Sequence, residues 1–192
     1  MVDKFKNKYR IPSARLQNWD YGANGAYFIT ICTKNKIHFF GEIADEGMQM
    51  NEIGKLAEEF WGEIPSHFLF AELDAFVVMP NHIHGIVIIR TDAIHRVSNG
   101  ISGGDGDTDA MNRVSTGVGG FAGNKNPMIH ENISRIVRWY KGRCTFEIRK
   151  THADFEWQTR FHEHIIRTGD SFERIREYVE KNPLNWEDDR FR

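Results

Sequence analysis

Two histidines one residue apart, His82 and His84, follow a Pro80-Asn81 pair in the stretch Phe76-Val77-Val78-Met79-Pro80-Asn81-His82-Ile83-His84-Gly85-Ile86-Val87-Ile88-Ile89. Two apolar runs around a Pro-Asn turn signal predict an antiparallel hairpin over 71–79 and 82–89. Side chains alternate faces along a strand, so His82 and His84 point the same way. Their Cβ atoms should lie about 7 Å apart, close enough for both imidazoles to hold one cation. Gly85 has no side chain, which lets a backbone or ligand approach there. A bare His-x-His also fits two unrelated histidines on a sheet. Far along the chain, Tyr178 and Asn182 stand four apart in a helical stretch and so share a face. A phenol, an amide and two imidazoles are residue types that phosphoryl transfer uses, as nucleophile and as holders of a metal. On the helix alone, Tyr178 reads rather as a core aromatic beside Ile175, and Asn182 as a helix end.

The elements that must position these groups follow from pattern. Tyr27–Thr33 is rich in β-branched and aromatic residues and reads as a strand. Residues 37–50 suggest a short irregular hairpin. A helix should run from Asn51, a good N-cap, to Pro65, with Ile53, Leu56, Ala57, Phe60 and Ile64 as its apolar stripe. A second helix is expected from Asn132 to Arg149, burying Ile133, Ile136, Val137, Tyr140, Cys144 and Ile148. Trp157–Arg167 reads as the last strand. A final helix should be capped by Asp170 with Glu173 closing a capping box, and should stop at Pro183. Strand, helix, strand, strand, helix, strand and an extra helix is the βαββαβ ferredoxin-like order of the α+β class. It implies an antiparallel sheet with two helices on one face. With Ile83, Val87 and Ile89 under those helices, His82 and His84 face the open side, a platform suited to single-stranded nucleic acid.

Composition narrows the classes. A chain of 192 residues is sized for one domain, with residues 1–24 as an N-terminal arm and the Gly-rich 90–127 as a flexible insertion. A formal net charge of −2 leaves any nucleic-acid site to a local basic patch. Arg10, Arg15, Arg135 and Arg138 are the basic residues best placed for phosphate, a solvated surface being the other reading of the helical pair. Cys32 and Cys144 have no CxxC partner, which fits a reducing compartment and gives no zinc site by cysteine. No apolar run approaches the roughly 18 residues that span a membrane, and the N-terminus lacks a signal-peptide core. The expected location is cytoplasmic. Asp105–Asp109 begins like a calcium loop, but Ala110 and Thr116 stand where the loop needs glycine and glutamate, so calcium is excluded.

Four segments together carry a resemblance: Tyr27–Thr33, Val78–Gly85, Trp157–Arg167 and Arg174–Pro183. Met-Pro-Asn-His-Ile-His with a late Tyr-x-x-x-Asn-Pro resembles the REP-associated tyrosine transposases, within the HUH single-tyrosine transposase superfamily. The segments occur in family order and span most of the chain outside the Gly-rich insertion. The resemblance implies a divalent metal, Mg²⁺ or Mn²⁺, on His82 and His84 with Asn182 as third ligand, and Tyr178 as nucleophile. Ligand softness alone points instead to zinc or another transition metal. It also implies an enzyme that nicks and rejoins single-stranded DNA at hairpin-forming repeats through a phosphotyrosine, as monomer or homodimer. The alternatives are a catalytically silent DNA- or RNA-binding protein of transposase descent, and a phosphodiesterase that uses water. Tyr140 reads as a core residue. His162 and His164 read as a near-site or DNA-contacting pair, or as plain surface. The chain departs from the pattern at its end, Asn185-Trp186-Glu187-Asp188-Asp189-Arg190-Phe191-Arg192, where relatives often carry a basic tail.

Residues 90–127 bury little by composition, and loop closure depends only weakly on length. Replacing them with a short Gly-Ser linker should leave the melting temperature within a few degrees of the parent. A large drop in a thermal melt would mean that the segment packs.

Overall fold

The computed structural model describes residues 24–45, 47–90 and 132–192, with the backbone of 4–5 and 8–9. Most of the N-terminal arm, Arg10 and Arg15, the excluded calcium loop and the Gly-rich insertion apart from Arg90 lie outside those residues. Strands β1 (Lys4–Phe5) and β2 (Lys8–Tyr9) pair with each other. The main sheet holds β3 (Gly25–Cys32), β6 (Ala71–Met79), β7 (His82–Ile89) and β8 (His162–Ile166). Its order is β6-β7-β3-β8, antiparallel throughout. That is the ferredoxin-like arrangement the element order implies. The expected irregular hairpin is present as β4 (Gly41–Ala44) and β5 (Gly47–Met50).

Two helices cover one face, α1 (Glu52–Gly62) and α3 (Ile133–Ile148). Both begin at asparagine caps. Asn51 accepts from the Gly54 N–H, and Asn132 from those of Ser134 and Arg135. The first helix ends earlier than expected. Pro65 does not close it but sits in the first turn of α2 (Ile64–His67), where a missing N–H costs nothing. The last strand is also shorter than the sequence suggests. Trp157 makes one isolated bridge to Thr33, and Arg160, with φ of 71°, breaks the run before His162. Helix α4 (Gly169–Lys181) is capped by Thr168, which accepts from the Ser171 N–H, rather than by Asp170. A 3₁₀ stretch, Asn182–Asp188, carries the chain past Pro183.

The core follows from strand parity. Tyr27, Ile29 and Ile31 of β3 and Ile83, Val87 and Ile89 of β7 are buried under α1 and α3. Trp61, on the same side of α1, stacks on Phe76 with ring centres 4.7 Å apart. Gly85 faces this layer, and a Cβ there would overlap the Trp61 indole. The close approach expected at Gly85 is thus made by a core side chain. Tyr140 is fully buried and donates to the Ala57 carbonyl at 2.9 Å, as its place on the apolar stripe implies. Helix α4 lies over the other face beside β6, where the register slips between Leu73 and Phe76. Asp74 in that irregularity pairs with Arg176 of α4 at 3.4 Å.

Gly85→Ala should destabilise by about 1–3 kcal/mol through overpacking against the indole. Combining it with Trp61→Phe, which removes the offending ring edge, should cost less than the two single changes added together. Strict additivity in denaturant melts would separate the two positions.

Candidate metal and nucleophile site

The register sets the site. Thr30 pairs with His84 and Cys32 with His82 on the face away from α1 and α3, and Thr30 and Phe28 pair with His162 and His164 on the other side. His82 and His84 are fully buried, with Nε2 atoms 3.1 Å apart and ring centres 4.5 Å apart. Each imidazole is oriented by a partner on its far nitrogen. His82 Nδ1 lies 2.7 Å from Asn81 Oδ1, and His84 Nδ1 lies 2.8 Å from Thr30 Oγ1.

The Asn81 amide cannot be turned around. Its Nδ2 donates to the carbonyls of Lys36, at 3.3 Å, and Phe191, at 3.2 Å. Oδ1 must therefore accept, which puts the proton on His82 Nδ1 and leaves Nε2 bare. The Thr30 hydroxyl can either donate to His84 Nδ1 or accept from it. In the first case His84 Nε2 carries a proton and donates to His82 Nε2. In the second, two bare nitrogens face each other and the space near them suits a cation.

The C-terminal segment completes the cluster. The Asp189 side chain is fully buried, with Oδ2 3.7 Å from His84 Nε2 and 3.9 Å from His82 Nε2. Asn182 donates to the same oxygen at 2.6 Å, and so does the Tyr178 hydroxyl at 3.3 Å. Tyr178 Oη is also 3.3 Å from His84 Nε2, and its ring meets Phe28 edge-on. Because a carboxylate only accepts, the Asn182 Nδ2 must face Asp189. Its Oδ1 is then a buried acceptor without a hydrogen-bond partner among the described residues. Such an orphan costs about 1–3 kcal/mol unless something positive meets it. Two oriented imidazoles, a buried carboxylate and an orphaned amide oxygen fit a divalent cation, and His82, His84 and Asp189 bring their ligand atoms within 4.8 Å of one another.

Burial, and then the neighbouring His84, push the His82 imidazole down to about 3; burial also lowers His84. Both are therefore neutral near pH 7, the form in which an imidazole could hold a cation. Burial opposes the Asp189 charge, yet the nearby His84 and the hydrogen bonds from Asn182 and the Phe191 N–H hold its carboxyl below the usual range. The Tyr178 phenol is pushed up to about 12, first by burial and then by the Asp189 charge.

Of the residues singled out from sequence, the structure brings together His82, His84, Tyr178 and Asn182. Arg135 and Arg138 it places on α3, across the sheet from the histidines, with Arg135 over the Phe68 ring at 5.9 Å. His162 and His164 are exposed on the histidine face, the former against Phe191 at 5.2 Å. Cys32 and Cys144 are both buried and free. Asp189, Thr30 and the Asn81 side chain were not singled out as site residues. Asn81 stood in the motif as a turn signal, and strand parity opposite His84 could have pointed to Thr30. Nothing in the pattern marks Asp189 among the acidic residues near the end.

Comparison with known proteins fixes the class of fold. A solved REP-associated tyrosine transposase, determined bound to a REP hairpin, superposes at a TM-score of 0.55 over 91% of this chain and 74% of its own, at 18% identity. The fold is therefore that of the tyrosine transposase which the sequence motifs resemble. No family model matches the chain. An uncharacterized protein of Haemophilus influenzae is 37% identical over 178 residues, covering 92% of this chain and 90% of that protein. The chain belongs to one family with that Haemophilus protein.

A histidine held neutral in the fold but free to protonate when unfolded makes stability fall with acid. Between pH 6.5 and about 3 the unfolded chain binds the proton and the native His82 does not, so unfolding becomes easier as pH drops. In chelator, stability should fall by up to about 1.4 kcal/mol per pH unit per histidine below pH 6. His82→Gln should flatten that slope; an equally steep fall in the variant would show that other groups set it.

Proposed function

We propose that the chain is a metal-dependent single-stranded DNA endonuclease and strand transferase, acting at hairpin-forming repeats through a phosphotyrosine on Tyr178. The observation that carries this is the meeting of a phenol 3.3 Å from His84 Nε2 with two neutral imidazoles and a carboxylate on one face of the sheet. The likeness to the hairpin-bound transposase supports hairpin DNA as the substrate. The site is assembled within one chain, which supports action of Tyr178 on its own site, whether the protein is monomer or homodimer.

His82, His84 and Asp189, with Asn182 Oδ1 beside them, would hold Mg²⁺ or Mn²⁺. The bound cation would draw charge off the scissile phosphate. The chain's own groups do the rest. Tyr178 Oη attacks phosphorus in line with the 3′-oxygen. The Oη–P bond forms and the P–O3′ bond breaks. The 5′-phosphate stays on the tyrosine, and the other strand leaves with a 3′-hydroxyl. The phenolic proton, hydrogen-bonded to Asp189 Oδ2 in the resting site, passes to solvent as the bond to phosphorus forms. The leaving oxygen takes its proton from solvent. The bond energy is kept in the phosphotyrosine, so a 3′-hydroxyl can reverse the step and rejoin DNA. Thr30 and Asn81 hold the imidazoles in register throughout.

A labelled hairpin oligonucleotide with Mn²⁺, read on a denaturing gel, tests the proposal. Tyr178→Phe removes one partly exposed oxygen and should leave the melt and DNA binding nearly unchanged while abolishing adduct and cleavage together. Tyr140→Phe should keep the adduct and cost about 1 kcal/mol, from the lost bond to the Ala57 carbonyl. Nucleotide on another residue by mass spectrometry, or cleavage surviving in Tyr178→Phe, would overturn the assignment.

A further inference from the structure

Two depressions flank the segment 156–159, at the sheet edge where Trp157 bridges to Thr33. One, of about 710 Å³, lies between this segment and α3, and is lined by Lys141, Phe146 and Arg149. The other, of about 400 Å³, lies against Lys34–Lys36, and Trp157 borders both. Four cations, Lys34, Lys36, Lys141 and Arg149, line the pair against one carboxylate, Glu156, a local charge of +3 on a chain of net −2. Glu156 is already shared by Lys34 and Arg149. Phe146 is 65% exposed, a large ring that the core does not use, and Lys150 stands over it at 5.0 Å.

Cations, the exposed Phe146 ring and the polar Thr145, Gln158 and Thr159 form the chemistry of a single-strand platform: cations track phosphates and a ring takes a base. A duplex hides its base faces, so the ring selects unpaired nucleotides. The second depression also leads to the histidine face. The Lys36 carbonyl accepts from Asn81 Nδ2, and Asn81 Oδ1 holds His82.

We propose that the unpaired strand flanking the scissile phosphate runs past Lys36 and Lys34, around the sheet edge, into the groove on α3, where a base stacks on Phe146. This rests on the DNA-cleaving function proposed above and adds where the flank lies. It also puts the basic contacts on the rim formed by residues 34–36 and 141–159, away from Arg135 and Arg138.

The test is fluorescence anisotropy with one hairpin, either bare or extended by an unpaired flank on its 5′ or its 3′ side. With wild type, one flank should tighten binding about tenfold, the size of one stacked base. Phe146→Ala, a surface change whose fold is checked by its melt, should lose most of that gain yet bind the bare hairpin as wild type does. Lys34→Gln with Arg149→Gln should lower the salt slope for the flanked hairpin by about 1.4 units, since each of the two single-strand phosphate contacts contributes about 0.7. No gain from either flank in wild type, or a gain untouched in both variants, would overturn the groove while leaving hairpin cleavage standing. Failure of wild type to bind any hairpin would overturn the DNA-cleaving function and the groove with it.

Discussion

The alternation of side chains along β7, locked by its pairing to β3, is the constraint on which the site depends. Ile83, Gly85, Val87 and Ile89 must lie under the helices, because burying them drives the fold. His82 and His84 then have only the other face to occupy. A slip of one residue would put two imidazoles into the core and three aliphatic side chains outside it. The same register sets Thr30 beside His84, so the hydrogen bond that orients that ring comes from the pairing that builds the sheet.

This is also why much of the molecule is legible in the sequence. Period-two patterning gives the strands and their faces, and the asparagine caps give the starts of two helices. The shared face of Tyr178 and Asn182 follows from helical spacing. The misses have local causes. Thr168 and Asp170 are both cap-type residues two apart, and the earlier one won. Pro65 is tolerated in a first turn and so opens a short helix instead of closing a long one. Arg160 in a left-handed conformation shortened β8. Asp189 was hidden for another reason. It reaches the histidines only because the 3₁₀ stretch folds back over them, with Trp186 against His82 and Lys36 Nζ bonded to the Arg192 carbonyl at 2.6 Å. Nothing in residue type or spacing encodes that return.

The cluster places a carboxylate, an amide and two imidazoles in a space that apolar side chains would fill more favourably. Each polar group has been given some partner except Asn182 Oδ1. The phenol held at about 12 and the carboxylate beside it are poorly matched to rest and better matched to a positive charge between them. A local conflict of this kind fits the metal site proposed above, where a cation would relieve it.

The irregularity in β6 between Leu73 and Phe76 has a meaning for solubility. β6 and β8 are the outer strands of the sheet, and an outer strand with a free ladder of amides and carbonyls invites another chain to add to it. In β6 the ladder is broken by the register slip, and Asp74 there is held by Arg176. In β8 the ladder is five residues long and carries His-Glu-His. Among the described residues neither border offers a long flat template, which disfavours edge-to-edge growth between copies.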